Sequence, residues 1–296
     1  YYGRRKGDRN DFIRHEHRRE LRGFHAVSAW VNHHDSRSIN TLDTMVEENG
    51  VRYVRHYMID FGSTLGSAAT KSKSAREGNA RLFDFRSAAA SFLSLGLYFR
   101  DWELAHYPYY PSIGRIQYDV FDPEQWIPNY PNVAFGNRLP EDNFWAAAKI
   151  MQFSDADIRA VVATGEYSDK EAENWLAECL IHRRDIIGRT YFEQVLPLNN
   201  FRVVEGRLEF DDLAARYGFT GPREFHISWA RFDNQSEAKS ELEGAHTLQL
   251  PEPVRTAAAG TYWAATIQGD DKKKTVTAYL RKTASGHEVA GVERTW

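Results

Sequence analysis

The chain has 296 residues, 42% hydrophobic and 27% charged, a globular composition with enough apolar material for a sizeable core. Lys and Arg number 38 against 41 Asp and Glu, a net charge of −3, which excludes a global basic field for nucleic acid. The single cysteine, Cys179, excludes an intrachain disulfide framework and any cysteine-based zinc or iron–sulfur centre, and no apolar run approaches the roughly 18 residues of a membrane span. Tyr1-Tyr2-Gly3-Arg4-Arg5-Lys6 opens the chain with neither a Met nor an apolar leader, so a preceding segment is expected, removed or belonging to a longer precursor.

From Arg14 to about Asn32, Leu21, Phe24, Val27, Trp30 and Val31 recur at helical spacing while Arg18, Arg19 and Arg22 take the other face. This predicts an amphipathic helix running into the polar loop His33–Ser38. Two β-like runs follow, Thr41 to Val46 and Val51 to Ile59, and Asn49-Gly50 between them is a strong hairpin signal because both residues tolerate positive φ. The hairpin ends at Asp60-Phe61-Gly62. Ser63 to Asn79, rich in Ser, Gly, Ala and Lys, reads as a mobile loop carrying Lys71, Lys73 and Arg76.

Tyr107 to Pro140 holds most of the prolines among Tyr109, Tyr110, Trp126 and Tyr130, and reads as irregular structure pinned by aromatics. Pro140 to Gln194 is helical again. Ser154-x-x-Asp157 and Ser168-x-x-Glu171 are candidate N-terminal caps, with Gly165 as a stop, and Cys179 falls on an apolar helix face as a core thiol. After Pro197 the pattern turns to strands: Glu224–Phe232, His246–Leu250, Thr261–Gln268, Thr275–Lys282 and Glu288–Arg294, with turns at Gly269-Asp270-Asp271 and Ser285-Gly286.

The chemistry concentrates in Asp35-Ser36-Arg37-Ser38-Ile39-Asn40, the hairpin, and Asp60-Phe61-Gly62. A carboxylate and an amide five residues apart, placed between a helix and a hairpin, can face one cleft, and a carboxylate after the hairpin can return to it. Phosphoryl transfer needs this set: a carboxylate to orient the attacking hydroxyl and oxygen ligands for Mg²⁺ across nucleotide phosphates. Helix, D-x-x-x-x-N, hairpin and D-F-G in this order resemble the protein-kinase-like superfamily. The resemblance makes Asp35 the catalytic-loop aspartate, with His33 at the His position of H-R-D and Arg37 as its basic companion. It makes Asn40 and Asp60 the Mg²⁺ ligands, and Phe61 and Gly62 the rest of the D-F-G segment. The wording around Asp60 is similar to that of phosphatidylinositol kinases. HipA-like kinases and a group of uncharacterised bacterial kinase-like proteins are similar too, the last from Arg14 to Gly66.

The chain also departs from that pattern. Only about 13 residues precede the first helix, Gly3 and Gly7 do not make a G-x-G-x-x-G loop, and no strand lysine or A-P-E segment is present. Simpler readings stand beside the resemblance. Asp35 and Asn40 can cap a helix and a turn, Asp60-Phe61-Gly62 can be an ordinary strand end, and His33, His34 and Asp35, with His56, can hold a transition metal.

The expected fold is α+β: a mainly helical kinase-like large lobe with a β-hairpin over 1–196, a linker over 197–222, and a small antiparallel β-sandwich over 223–296. The expected function is the C-terminal part of an ATP-dependent phosphotransferase using Mg²⁺ and ATP, its nucleotide lobe supplied by an upstream segment of its precursor or by a protein partner. The alternatives are a non-catalytic, pseudokinase-like interaction subunit and a metal-dependent hydrolase. The missing start and the lack of cysteine pairs fit a cytoplasmic fragment or a processed cell-envelope protein alike, bacterial as the resemblance implies.

Overall fold

The computed structural model describes residues 15–68, 70–81 and 85–296, without the side chains of residues 15, 38, 41, 43, 56, 86 and 87. It divides into two compact units, Tyr1–Gly188 and Arg189–Trp296. In the first, helix α1 (Arg19–Trp30) leads to the hairpin of β1 (Thr41–Glu48) and β2 (Val51–Met58). Helices α2 (Phe85–Leu93), α3 (Asp101–Leu104), α4 (Val133–Gly136), α5 (Pro140–Ile150), α6 (Asp155–Ala163) and α7 (Lys170–Glu193) follow, and the division between units falls within α7.

The second unit holds β3 (Leu198–Val204), β4 (Arg207–Asp212), α8 (Leu213–Arg216), β5 (His226–Phe232), β6 (Lys239–Glu241), α9 (Glu252–Arg255), β7 (Tyr262–Gln268), β8 (Thr275–Lys282) and β9 (His287–Arg294). The strands β3 and β4 pair as a hairpin, and the other five form an antiparallel sheet in the order β6-β5-β7-β8-β9. The chain is therefore mixed, helices with antiparallel sheets. "Mainly helical" overstates the first part, because the Pro- and aromatic-rich stretch between α3 and α4 cannot sustain a helical ladder.

Helix α1 forms where its periodicity predicts, and it docks on α5 through two devices. Arg22 donates Nε–H and Nη2–H to the two carboxylate oxygens of buried Asp142, at 2.7 and 2.8 Å. At Gly23 a Cβ would lie 2.8 Å from the Asp142 carbonyl, so only glycine permits the approach. Ala29, Trp126 and Phe135 form the apolar centre beneath, with Phe24 and Phe121 packed against it.

The β1–β2 hairpin closes as its sequence dictates, with Asn49 at φ 53° and Gly50 at φ 76°, both left-handed. Ser63–Asn79 is irregular yet anchored. Ser67 and Ser72 bridge, Lys73 N–H donates to Gly66 O, and Gly66 lies so close to Arg115 that a Cβ would fall 2.0 Å from its carbonyl oxygen. Two of the predicted caps differ in outcome. Ser154 Oγ accepts from Asp157 N at 3.1 Å as expected, whereas α7 is capped by Asp169, whose Oδ1 accepts from Glu171 N at 2.9 Å.

The segment 197–222 is not a linker. Leu198 and Leu208 of the β3–β4 hairpin are fully buried with Trp229, Ile267 and Leu280 of the sheet, and Glu205-Gly206 makes its turn with both φ positive. His246–Leu250, expected as a strand, contributes one isolated bridge, Gln249 to Arg207; the sheet edge is instead the short β6, which the charged Lys239-Ser240-Glu241 gives no apolar signal to detect.

Candidate functional site

Every carbonyl of the last turn of α1 is accounted for, and this fixes the loop that follows. Asn32 takes a left-handed φ of 48°, His33 N–H donates to Ser28 O at 2.7 Å and Asn32 N–H to Ala29 O at 3.2 Å, a Schellman close without glycine. Arg183, from α7, donates Nε–H to Trp30 O at 3.0 Å, Nη2–H to Ala29 O at 2.6 Å and Nη1–H to Gln117 O at 2.8 Å. Its guanidinium lies 3.7 Å from the centre of the Phe121 ring. Burial draws this cation down to about 10, which leaves it charged at neutral pH and well placed at a helix C-terminus. Leu65 N–H takes Val31 O at 2.8 Å.

Partners from far along the chain hold the loop itself. Asn129 N–H donates to His34 O and Asn132 Nδ2–H to Ser36 O, each at 2.8 Å, and Trp126 Nε1–H donates to Asn32 Oδ1 at 2.9 Å. Gly78 is needed beside it, since a Cβ there would fall 2.1 Å from Asn32 Oδ1. Behind the loop lies a cavity of about 20 Å³, lined by Asn32, Glu77, Asn79, Tyr107, Arg115 and Arg183, large enough for about one water molecule. Asp35, Asn40 and Asp60 do not line it.

Within this frame the predicted residues come together. Asn40 donates Nδ2–H to Asp35 O at 2.8 Å and lies 3.3 Å from Asp35 Oδ2, so its Oδ1 is the end of the amide not committed to Asp35. Arg37 reaches Asp35 with Nε 2.8 Å from Oδ1 and Nη2–H donated to Oδ2 at 3.2 Å, while its guanidinium lies 4.5 Å from the Tyr130 ring centre. The hairpin register carries the second carboxylate back. Thr41 faces Met58 and Ile59 N–H donates to Asn40 O at 3.0 Å, so Asp60 leaves the hairpin beside Asn40. Asp60 itself takes φ 63°, and the turn Phe61–Ser63 follows. Gly62 has no positive φ, and a Cβ there would meet only Asp60 Oδ1 at 3.6 Å, so the left-handed residue of the D-F-G segment is its aspartate.

His33 joins the two halves. Its ring lies 5.2 Å from the Phe61 ring and edge-on to Phe24, and its Nδ1 is 3.5 Å from Ser63 O. Burial pulls its pKa below the usual histidine value, and the Ser63 carbonyl and the charges of Asp35 and Asp60 pull the other way. His34 is turned elsewhere, with Nε2 at 3.5 Å from Ser67 O and Nδ1 at 3.2 Å from Asn129 Nδ2 and 3.4 Å from Glu77 Oε2. Its pKa is lowered too, first by burial, against the pull of Glu77.

The two histidines thus face different partners, and among the described residues no three His, Cys, Asp or Glu side chains gather around a metal-sized space. The side chain of His56, the fourth residue of the metal reading, lies outside the described residues. Mg²⁺ makes a smaller demand, since it takes one or two protein oxygens and completes its shell with water and phosphate; Asn40 Oδ1 and the exposed Asp60 carboxylate fit that donor set.

Sequence reasoning missed Arg183, Asn129 and Asn132, and it named Trp126 only as one of several pinning aromatics. The aromatic- and proline-rich stretch was the one signal, because such a segment has to lie against something, but what it lies against is not encoded locally. Comparison of the chain with protein-family models, curated proteins and solved structures returns no match.

Proposed function

We propose that residues 33–62 form the catalytic half of a kinase-like phosphotransferase site. The convergence of Asp35, Asn40 and Asp60 carries this reading. They lie 25 residues apart at the extremes, yet one amide hydrogen bond and one hairpin register bring them to the same place. Asp35, spanned by Arg37 and touched at Oδ2 by Asn40, presents a carboxylate to accept the proton of an incoming hydroxyl. Asn40 and Asp60 offer oxygen ligands. Buried, neutral His33 spaces the D-F-G turn from the loop without adding a competing cation. Bound Mg²⁺–ATP would supply the γ-phosphoryl group and neutralise its charge. The remaining phosphate contacts, the part a glycine-rich loop and strand lysine perform in kinases, would come from a preceding segment or a protein partner.

A non-catalytic, scaffold-like use of the same frame is the second reading, and the ion pair of Arg37 across both Asp35 oxygens favours it. Transfer of the γ-phosphoryl of ATP, measured for the wild type, Asp35→Asn and Asp60→Ala, separates the two. The catalytic reading expects each variant to lose on the order of a hundredfold or more in rate while keeping its circular dichroism spectrum. Transfer unchanged in Asp60→Ala overturns it, and a folded wild type that neither binds Mg²⁺–ATP nor transfers phosphate, with the segment or partner that completes the phosphate contacts present, leaves the scaffold.

A further inference from the structure

The five-stranded sheet of the second unit uses only one of its faces for the core. The register sets Ile227 against Ile267 and Val276, and Trp229 against Ala265 and Ala278, all buried. By alternation the other face carries Phe232 opposite Tyr262, Ala230 opposite Ala264, and Tyr279 opposite Ala264 and Gly291. Ala264 has too small a side chain to fill its place on that face, and Phe232 and Tyr279 meet diagonally across it with ring centres 4.6 Å apart. That contact leaves Ala264 only 1% exposed and builds an aromatic ridge on the sheet.

Two clefts flank the ridge, of about 580 and 420 Å³, and both are lined by Phe232, Asn234 and Tyr262. Each is in the size range of small-ligand sites. The larger adds the turn residues Gln235 and Ser236 and the loop Gly260-Thr261; the smaller adds Lys239, Gly291 and Glu293.

We infer that these clefts bind a neutral oligosaccharide laid across the Phe232–Tyr262–Tyr279 ridge. Three observations carry it. First, neither cleft holds net positive charge for an anionic ligand. Arg231 stands with Asp233 in the larger, and Lys239 with Glu237 and Glu293 in the smaller, where Lys239 Nζ is 3.7 Å from Glu293 and 5.1 Å from the Tyr279 ring centre and the Tyr279 hydroxyl donates to Glu293. Second, partly exposed aromatic rings side by side match the C–H-bearing faces of pyranose rings, whose weakly positive hydrogens pack on a π face. Third, the polar side chains at the rim, Asn234, Gln235 and Ser236, are amides and a hydroxyl, the donor–acceptor pairs that vicinal sugar hydroxyls satisfy. They stand on a turn made rigid by Asp233, whose Oδ1 accepts from Gln235 N and Ser236 N, each at 2.9 Å. None of this depends on the phosphotransferase reading.

The test uses the full chain with cellohexaose, chitohexaose, maltohexaose and an oligogalacturonate of the same length, followed by calorimetry and by amide shift changes in NMR. At least one neutral hexamer is expected to bind, with shifts confined to residues 231–240, 260–262, 279 and 290–293. Tyr262→Ala and Phe232→Ala should weaken binding at least tenfold. Asn234→Ala, an exposed turn variant that leaves the sheet untouched, should weaken it several-fold, which keeps the test decisive if the aromatic variants unfold. No binding by any neutral hexamer at millimolar concentration overturns the inference. So does preference for the oligogalacturonate, or binding that survives Asn234→Ala with shifts elsewhere in the chain.

Discussion

At the scale of single residues, Arg183 decides how the loop after α1 is held. Its three N–H groups satisfy carbonyls of Ala29, Trp30 and Gln117 that no helix or sheet ladder takes up in full. Arg183→Met keeps the stem but strands buried acceptors, so urea unfolding should show a loss of about 3 kcal/mol. Amide exchange at His33 and Leu65 should accelerate with it. A variant as stable as wild type would contradict the role. Histidines give a pH signature. Burial, aided by the charge of Arg138, holds His25 down to about 3, and burial lowers His33 and His34 as well. With folded values below the unfolded ~6.5, the unfolded chain binds more protons. For His25 this contribution to stability is therefore complete above about pH 6.5 and falls away as pH drops toward 3, by roughly 1.4 kcal/mol per unit, and His33 and His34 act in the same direction. Replacing His25→Gln should make the decline between pH 6.5 and 4.5 shallower by about one proton; an identical slope would refute it. Asp35, Asn40 and Asp60 were legible in the sequence because they sit on local motifs. Arg183 was not, since nothing about an arginine in the middle of a helix announces that its partners lie some 150 positions away.

At the scale of elements, α1 and α5 meet closely because Gly23 lacks a side chain and Arg22 finds Asp142. Gly23→Val forces a branched side chain onto backbone, and a loss of about 2 kcal/mol is expected in thermal or urea unfolding. Arg22→Ala leaves a buried carboxylate without its cation and should cost about 3 kcal/mol. Neutral behaviour of either would mean the two helices are not locked as described. The sequence shows both helices through their apolar periods, while the arginines of α1 read only as a polar face. Their separate fates, Arg22 in an ion pair and Arg19 with its guanidinium over Trp145, depend on which element packs opposite. The β1–β2 hairpin was legible to its turn residues, since Asn-Gly fixes both the loop length and the register. The β3–β4 hairpin was not, because Glu205-Gly206 is a less distinctive turn pair and Asn199-Asn200 interrupts the alternation with a bulge.

At the scale of the whole molecule, the second unit carries its own core of Leu198, Leu208, Trp229, Trp263, Ile267 and Leu280 around a complete sheet. A fragment of residues 189–296 should therefore unfold cooperatively and give dispersed amide resonances; a non-cooperative fragment would show that the unit depends on the rest of the chain. The reading of 197–222 as linker failed here for a physical reason. Ten of its 26 residues are Asp, Glu, Arg, Asn or Thr, and the buried positions of the strand pair, Leu198 and Leu208, are too few to announce it locally. The site in the first unit rests on the same kind of long-range assembly, and the most direct test is spatial. Mn²⁺–ATP, added to the isotope-labelled chain at substoichiometric amounts, broadens amides near the metal. The proposed site predicts that Asp35, Asn40 and Ile59–Gly62 broaden first and that Asp60→Ala abolishes the effect. Broadening centred elsewhere, or equally strong in Asp60→Ala, would contradict the assignment of Asn40 and Asp60 as the metal-holding pair.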